Sequence, residues 1–142
     1  METNEMHRGR LIDHLQLVVK DLKASKAFYS SVMEALEIPL GGEGEDFFWV
    51  DELFISSKES KASAGTLTGR THLAFQAKSR EMVDKFHKAA MKTGSKDNGA
   101  PGERPYHPGY YAAFVIDPDG NNIEAVYHGP AKKSADSVKI TF

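Results

Sequence analysis

His14 and His72 stand 58 residues apart, each followed by Leu, and each opens a short segment of alternating apolar residues. Imidazole nitrogens suit divalent transition metals. Two of them leave such an ion under-coordinated, and a carboxylate is the usual third ligand. Glu124 is the best candidate by type and setting. It lies in NIEAVY (residues 122–127), and a carboxylate within an apolar strand is unfavourable unless it is paired or bound to a metal. If the two histidine strands flank a pseudo-twofold axis, their imidazoles can converge. The plain alternative is that each histidine is an ordinary hydrogen-bonded strand residue and Glu124 an edge charge in solvent.

A second group lies in RPYHPGYY (residues 104–111). His107 has the intrinsic pKa of a general base, and Tyr110 can donate a hydrogen bond, so the segment reads either as a lid over a site or as aromatic packing on a Pro-rich turn. Tyr110 shares the alternation of Ala112 and Phe114. Gln16 and Gln76 follow the histidines on the same strand faces, where they either orient a ligand or face solvent. Arg104 can meet an anion or be solvated. Phe47 and Trp49 alternate on one strand face and read as core, whereas His87 and His128 read as surface residues.

These residues are positioned by a repeat. Residues 13–29 (DHLQLVVKDLKASKAFY) align without a gap on residues 71–87 (THLAFQAKSREMVDKFH). In both copies a strand of period two leads to a helix N-cap, Asp21 or Ser79, and then to an amphipathic helix. Phe28, Val32 and Leu36 carry the apolar rhythm of the first helix. Met82, Val83, Phe86, Ala89 and Ala90 carry that of the second, which Gly94 stops. A hairpin follows each helix: residues 47–50 and 53–57 around Asp51-Glu52, and residues 110–116 and 122–127 around Asp117-Pro118-Asp119-Gly120, a strong turn signal. Each module is therefore βαβββ, with a weakly signalled second strand. Module one covers about 11–57, a linker 58–69 and module two about 70–128. A polar tail spans 129–142, and the Gly/Pro-rich stretch 94–109 reads as a long loop.

The bulk properties narrow the function classes. A chain of 142 residues with 40% hydrophobic and 27% charged residues suits one globular domain. A net charge of -2 and the lack of a basic tract argue against nucleic acid. The absence of cysteine excludes disulfides, thiolate catalysis and zinc–cysteine sites. No apolar run approaches membrane-spanning length, and the polar first ten residues lack a signal-peptide core, so a cytoplasmic protein is expected.

The paired His-Leu strand starts, together with DPDGNNIE at residues 117–124, resemble the glyoxalase/bleomycin-resistance/extradiol-dioxygenase family, also called the vicinal oxygen chelate family, from about residue 11 to 128. The resemblance implies an α+β fold of two tandem βαβββ modules forming a cupped mixed sheet with helices outside. It implies a divalent metal (manganese, iron, nickel or zinc) on His14, His72 and Glu124, a set that leaves positions open for substrate. It also implies a homodimer, with cups often completed across the interface. Gln16, Phe54, Gln76, Tyr110 and Phe114 would line the pocket, and Glu124, His107 and Tyr110 would act in catalysis. Lyase, isomerase, transferase and dioxygenase chemistries all stay open. Glyoxalase I members carry a fourth ligand, a Glu where this chain has Phe54, so that activity is disfavoured. Fosfomycin-thiol transferases carry a tyrosine where this chain has Phe114, and extradiol enzymes usually have more than two modules. The alternative is a metal-free protein that binds a flat small molecule, as bleomycin-resistance members do.

Overall fold

The computed structural model describes residues 5–9, 12–60 and 71–141. Arg10, Arg70 and residues 61–69 of the expected linker lie outside the described residues. Strand β1 (Glu5–Arg8) precedes the first module, which comprises β2 (Leu15–Val19), α1 (Leu22–Ala35), β3 (Gly42–Glu43), β4 (Phe47–Val50) and β5 (Leu53–Ser57). The second module comprises β6 (His72–Gln76), α2 (Arg80–Lys92), β7 (Lys96–Glu103), β8 (Tyr111–Ile116) and β9 (Asn122–Tyr127), and β10 (Val138–Thr141) follows it.

The two modules have the same topology. Their sheets run β2-β5-β4-β3 and β6-β9-β8-β7, with the first strand parallel to the last and the remaining pairs antiparallel. The expected caps form: the Asp21 carboxylate accepts from Ala24 N at 3.0 Å, and the Ser79 hydroxyl accepts from Met82 N at 3.1 Å. Gly94 follows α2 with φ +82°, which ends the helix at low cost.

One expectation is corrected, and one open point is filled. Residues 96–103 are not loop but β7, an edge strand whose register shifts on either side of Gly99. Gly99, Pro101 and Gly102 erase the alternation that would have marked it. The polar tail, whose structure the sequence left open, ends in β10, which pairs antiparallel with β1.

One hydrophobic core joins the modules. It takes Val19, Phe48, Val50, Leu53 and Ile55 from the first sheet and Ala113, Val115, Ile123 and Ala125 from the second. Phe28, Tyr29, Val32 and Met33 of α1 and Met82, Val83, Phe86 and Ala90 of α2 complete it. The helices pack on each other, and the Ser31 hydroxyl reaches Ala89 O at 3.4 Å. Each sheet thus gives one face to its helix and turns the other outward. Phe47 and Trp49, expected in the core, lie half-buried on the outward face, because their strand neighbours Phe48 and Val50 take the core positions.

The signature turn also fastens the modules together. Asp117 is buried and accepts from the Asp119 and Asn121 amides at 2.9 and 2.8 Å and from Asn121 Nδ2 at 3.0 Å. Its Oδ2 also accepts from the Tyr29 hydroxyl of α1 at 2.6 Å. Asp119 accepts from Lys20 N at 3.0 Å, at the junction of β2 and α1. Burial, and secondarily the Asp117 charge, push the Tyr29 phenol well above its ordinary pKa of 10.0.

Tyr29→Phe should therefore lower unfolding free energy by about 1–3 kcal/mol in urea titration, because a buried carboxylate loses a donor. A pH dependence follows. Unfolded tyrosine ionises near its ordinary pKa of about 10, while folded Tyr29 stays neutral higher. Its contribution is therefore whole below that pH and is lost as pH rises past it. Tyr29→Phe should show a shallower alkaline loss of stability; an unchanged slope would argue against the contact.

Candidate metal centre on the second sheet

The outward face of the second sheet is set by register. Glu124 of β9 lies opposite Phe114 on β8 and beside Ala74 on β6, and Val126 lies opposite Ala112. Continuing the hairpin one step past Tyr111↔Tyr127 sets Tyr110 across from His128. His72, Glu124, Phe114, Tyr110 and His128 therefore share one surface.

Glu124 is 3% exposed. Its Oε1 lies 3.0 Å from His72 Nε2, and its Oε2 accepts a short hydrogen bond from the Tyr110 hydroxyl. Burial, and next the bond to this carboxylate, raise the Tyr110 phenol above its ordinary range. The ring of His72 stacks on Phe114, with centroids 6.1 Å apart.

The proton count at His72 bears on what the pair can hold. His72 Nδ1 lies 3.1 Å from Asn122 O, a carbonyl that can only accept, so Nδ1 carries hydrogen. In the neutral ring Nε2 then presents a lone pair toward a carboxylate oxygen, and two lone pairs repel. A positive charge between them, either a proton or a metal ion, removes the conflict. Backbone fixing of the far nitrogen is also how metal-binding histidines are held. The donor types of His72 and Glu124 and the burial of the carboxylate fit a divalent cation.

His14 is not brought to this pair, which corrects the expectation that the two imidazoles converge within the chain. It stands on the outward face of the first sheet, 59% exposed, with Nδ1 2.8 Å from Asp13 and its ring edge-on to Phe54 at 5.7 Å. The helix pair supplies the reason, since each helix occupies the inner face of its own sheet and the histidine faces point away from it. Among the described residues, no group of three His, Cys, Asp or Glu side chains could hold a metal ion. The registers Gln16↔Phe54 and Ala74↔Glu124 make Phe54 the counterpart of Glu124, so the first module offers an aromatic ring at that position.

Other expected site residues are dispersed. Gln16 donates to Ser56 Oγ at 2.9 Å, across the first sheet, while Gln76 is exposed on the second. Trp49, expected in the core, instead stacks on Phe54 with centroids 5.5 Å apart, and the two rings make an outward aromatic platform.

His128 is exposed, as the sequence suggested, but it meets a partner that the sequence did not point to. His107 Nε2 lies 2.9 Å from His128 Nδ1, and the two rings stack at 5.2 Å. His107 Nδ1 lies 2.9 Å from Pro108 O and so carries a proton. With both rings neutral, His107 Nε2 accepts from His128 Nδ1–H, and the basic nitrogen left over is His128 Nε2. Tyr106, His107 and His128 surround the Tyr110 ring edge-on at 4.9, 5.3 and 5.4 Å. A signal was available: counting outward from the Asp117–Gly120 turn puts residue 128 across from residue 110.

Comparison with known proteins bears on the family. The sequence profile described as "Glyoxalase/Bleomycin resistance protein/Dioxygenase superfamily" matches residues 11–125. A glyoxalase/bleomycin resistance protein from Albidiferax ferrireducens T118 is 30% identical; the match covers 82% of this chain and 98% of that one, with a TM-score of 0.66. A lactoylglutathione lyase from Agrobacterium tumefaciens, 20% identical over 81% of this chain and 91% of that one, has a TM-score of 0.60. A glyoxalase-related enzyme from Fulvimarina pelagi, 16% identical over 94% and 98%, has a TM-score of 0.68. The last two likenesses carry the fold alone. No curated protein matches.

The Tyr110 environment is directly measurable. Subtracting the ultraviolet pH titration of Tyr110→Phe from that of the unaltered protein isolates one phenol, which should ionise above the ordinary tyrosine value of about 10. Glu124→Gln should bring that transition part of the way back, since burial persists. A transition at or below the ordinary value would contradict the buried contact with Glu124.

Proposed function

The chain belongs to the Glyoxalase/Bleomycin resistance protein/Dioxygenase superfamily, and from that premise we propose that it is a metalloenzyme that binds a small substrate through two neighbouring oxygens on a divalent ion. The observation that carries the proposal is the buried Glu124 carboxylate, which stands 3.0 Å from the half-exposed His72 Nε2 on the outward face of the second sheet. His72 and Glu124 of one copy would hold the ion together with His14 of a second copy, because His14 stands on the outward face of the other sheet. The functional unit is then a homodimer, in which the first sheet of one copy closes over the second sheet of the other.

When bound, the ion supplies Lewis acidity to a substrate oxygen. The chain's own groups do the rest. Tyr110 orients Glu124 and keeps one of its oxygens occupied. His128 takes the role first expected of His107: its Nε2 is the free proton acceptor at the rim, and His107 fixes its ring. Phe114 on one copy and Phe54 with Trp49 on the other wall the cup with aromatic surface and lower its water content. With Phe54 opposite the Glu124 position, the set is two histidines and one carboxylate. Such a set suits isomerase, lyase, transferase or dioxygenase chemistry better than a four-ligand glyoxalase reaction.

The Trp49–Phe54 stack favours one second reading, a metal-free protein that holds a flat aromatic molecule in the same cup. Micromolar binding of an aromatic ligand by chelator-treated protein, lost in Trp49→Ala, would support it.

Two variants test the shared site. Elemental analysis should find about one divalent ion per chain in the unaltered protein and almost none in His14→Ala or His72→Ala, with both variants folded. Unfolding and refolding the two variants together should restore metal to about a quarter of the chains, since half of the dimers are mixed and each mixed dimer has one intact site. No recovery on mixing would show that the two histidines serve within one chain or not at all.

A further inference from the structure

Arg104 follows β7 and turns back over that strand. Its guanidinium carbon lies 5.3 Å from the centre of the Phe114 ring, the same ring that stacks on His72. Nη2 donates to Ala100 O at 2.7 Å and Nη1 to Glu103 O at 3.2 Å. The strand is shaped around this group. A Cβ at Gly99 would come within 3.2 Å of Nη2 and 3.0 Å of Phe114, and one at Gly102 would come within 3.1 Å of Nη1. The glycines and Pro101 that cost β7 its regular pairing therefore leave the space in which the guanidinium lies flat.

A guanidinium has five N–H donors, and two are spent on these carbonyls. Among the described residues no carboxylate pairs with Arg104. Glu103, the nearest acid in sequence, is taken by Arg80 at 2.6 Å. The cation is thus held by backbone and ring, with three donors unspent, on the surface that carries His72 and Glu124. Arginine presents these donors in a rigid fork that matches oxyanions.

We propose that Arg104 is an oxyanion subsite that selects substrates bearing a carboxylate or phosphate-type group beside the oxygens that reach the metal. This rests on the reading of His72 and Glu124 as the reaction centre, and it adds the charge class of the substrate. The Phe114 ring spaces the two parts, so the anion and the reacting oxygens belong to opposite ends of one small molecule.

The test uses metal-free protein, so that it does not depend on metal uptake. Titration with inorganic phosphate and, separately, with malonate at low ionic strength should shift the Arg104 Nε–H resonance and the Gly99 and Gly102 amides saturably. Arg104→Gln should weaken the tighter anion about tenfold, the loss expected for a charged hydrogen bond. Gly102→Ala keeps the charge but crowds Nη1; it should weaken binding several-fold with the circular dichroism spectrum unchanged. The tighter of the two anions identifies the group as phosphate-like or carboxylate. Absence of a saturable shift, or equal binding by Arg104→Gln, would overturn the subsite. The shift should persist in His72→Ala. Anion binding without metal uptake would sink the metal reading and leave the subsite standing, and the reverse result would sink only the subsite.

Discussion

Each sheet of this protein has one face that the chain covers, and the helix pair decides which. Phe28, Tyr29, Val32 and Met33 of α1 seal the first sheet, and Met82, Val83, Phe86 and Ala90 of α2 seal the second, within one continuous core. Burial of such side chains stabilises by roughly 1.5–3 kcal/mol each, so turning either sheet over would forfeit most of the folding free energy. Everything of chemical interest is consequently displaced to the outward faces, where alternation along the strands delivers His14, Trp49 and Phe54 on one sheet and His72, Phe114 and Glu124 on the other. With each helix packed on one face of its own sheet, the opposite face of each sheet is left without a covering element from this core.

The DPDGNNIE segment divides its labour along these lines. Asp117 to Asn121 is structural: the buried Asp117 carboxylate organises the turn and takes the Tyr29 hydroxyl from the other module. Ile123 enters the core and Glu124 faces the site, one residue apart on opposite faces of β9. A change at Asp117 would therefore reach the site only through the register of β9, whereas a change at Glu124 acts on it directly.

Much of this was legible in the sequence, for identifiable reasons. The matched caps Asp21 and Ser79, the apolar rhythm of both helices and the Pro-Asp-Gly turn are local signals, and local hydrogen bonds answered each. The βαβββ order followed. What escaped were features set by distant partners. Strand β7 carries Gly99, Pro101 and Gly102 where alternation should be, because its shape answers to Arg104 and Phe114 rather than to a core face. Phe47 and Trp49 looked like core because FFWV offers apolar residues to both faces of β4, and only the helix shows which face is inside. The repeat foretold that His14 and His72 are equivalent. Equivalence under a twofold does not say whether the two faces meet within one chain or between two, and the packing of α1 on α2 answers against the former.

The pairing of His72 with Glu124 condenses the remaining argument into charge balance. A carboxylate that is 3% exposed has given up most of its hydration. One oxygen recovers a donor from Tyr110, which stays protonated because the same carboxylate and the same burial hold its phenol up. The other oxygen faces His72 Nε2, whose partner nitrogen is already committed to the Asn122 carbonyl. A proton on Nε2 satisfies that oxygen with a charge-assisted hydrogen bond, and the metal reading proposed above would put a divalent ion in the same place. The first sheet of the same chain has no further ligand to give there, since Phe54 occupies the position matching Glu124 and His14 faces elsewhere. In the dimer proposed above, the approach of a second copy with its own His14 would meet both needs, charge balance at Glu124 and closure of the exposed faces.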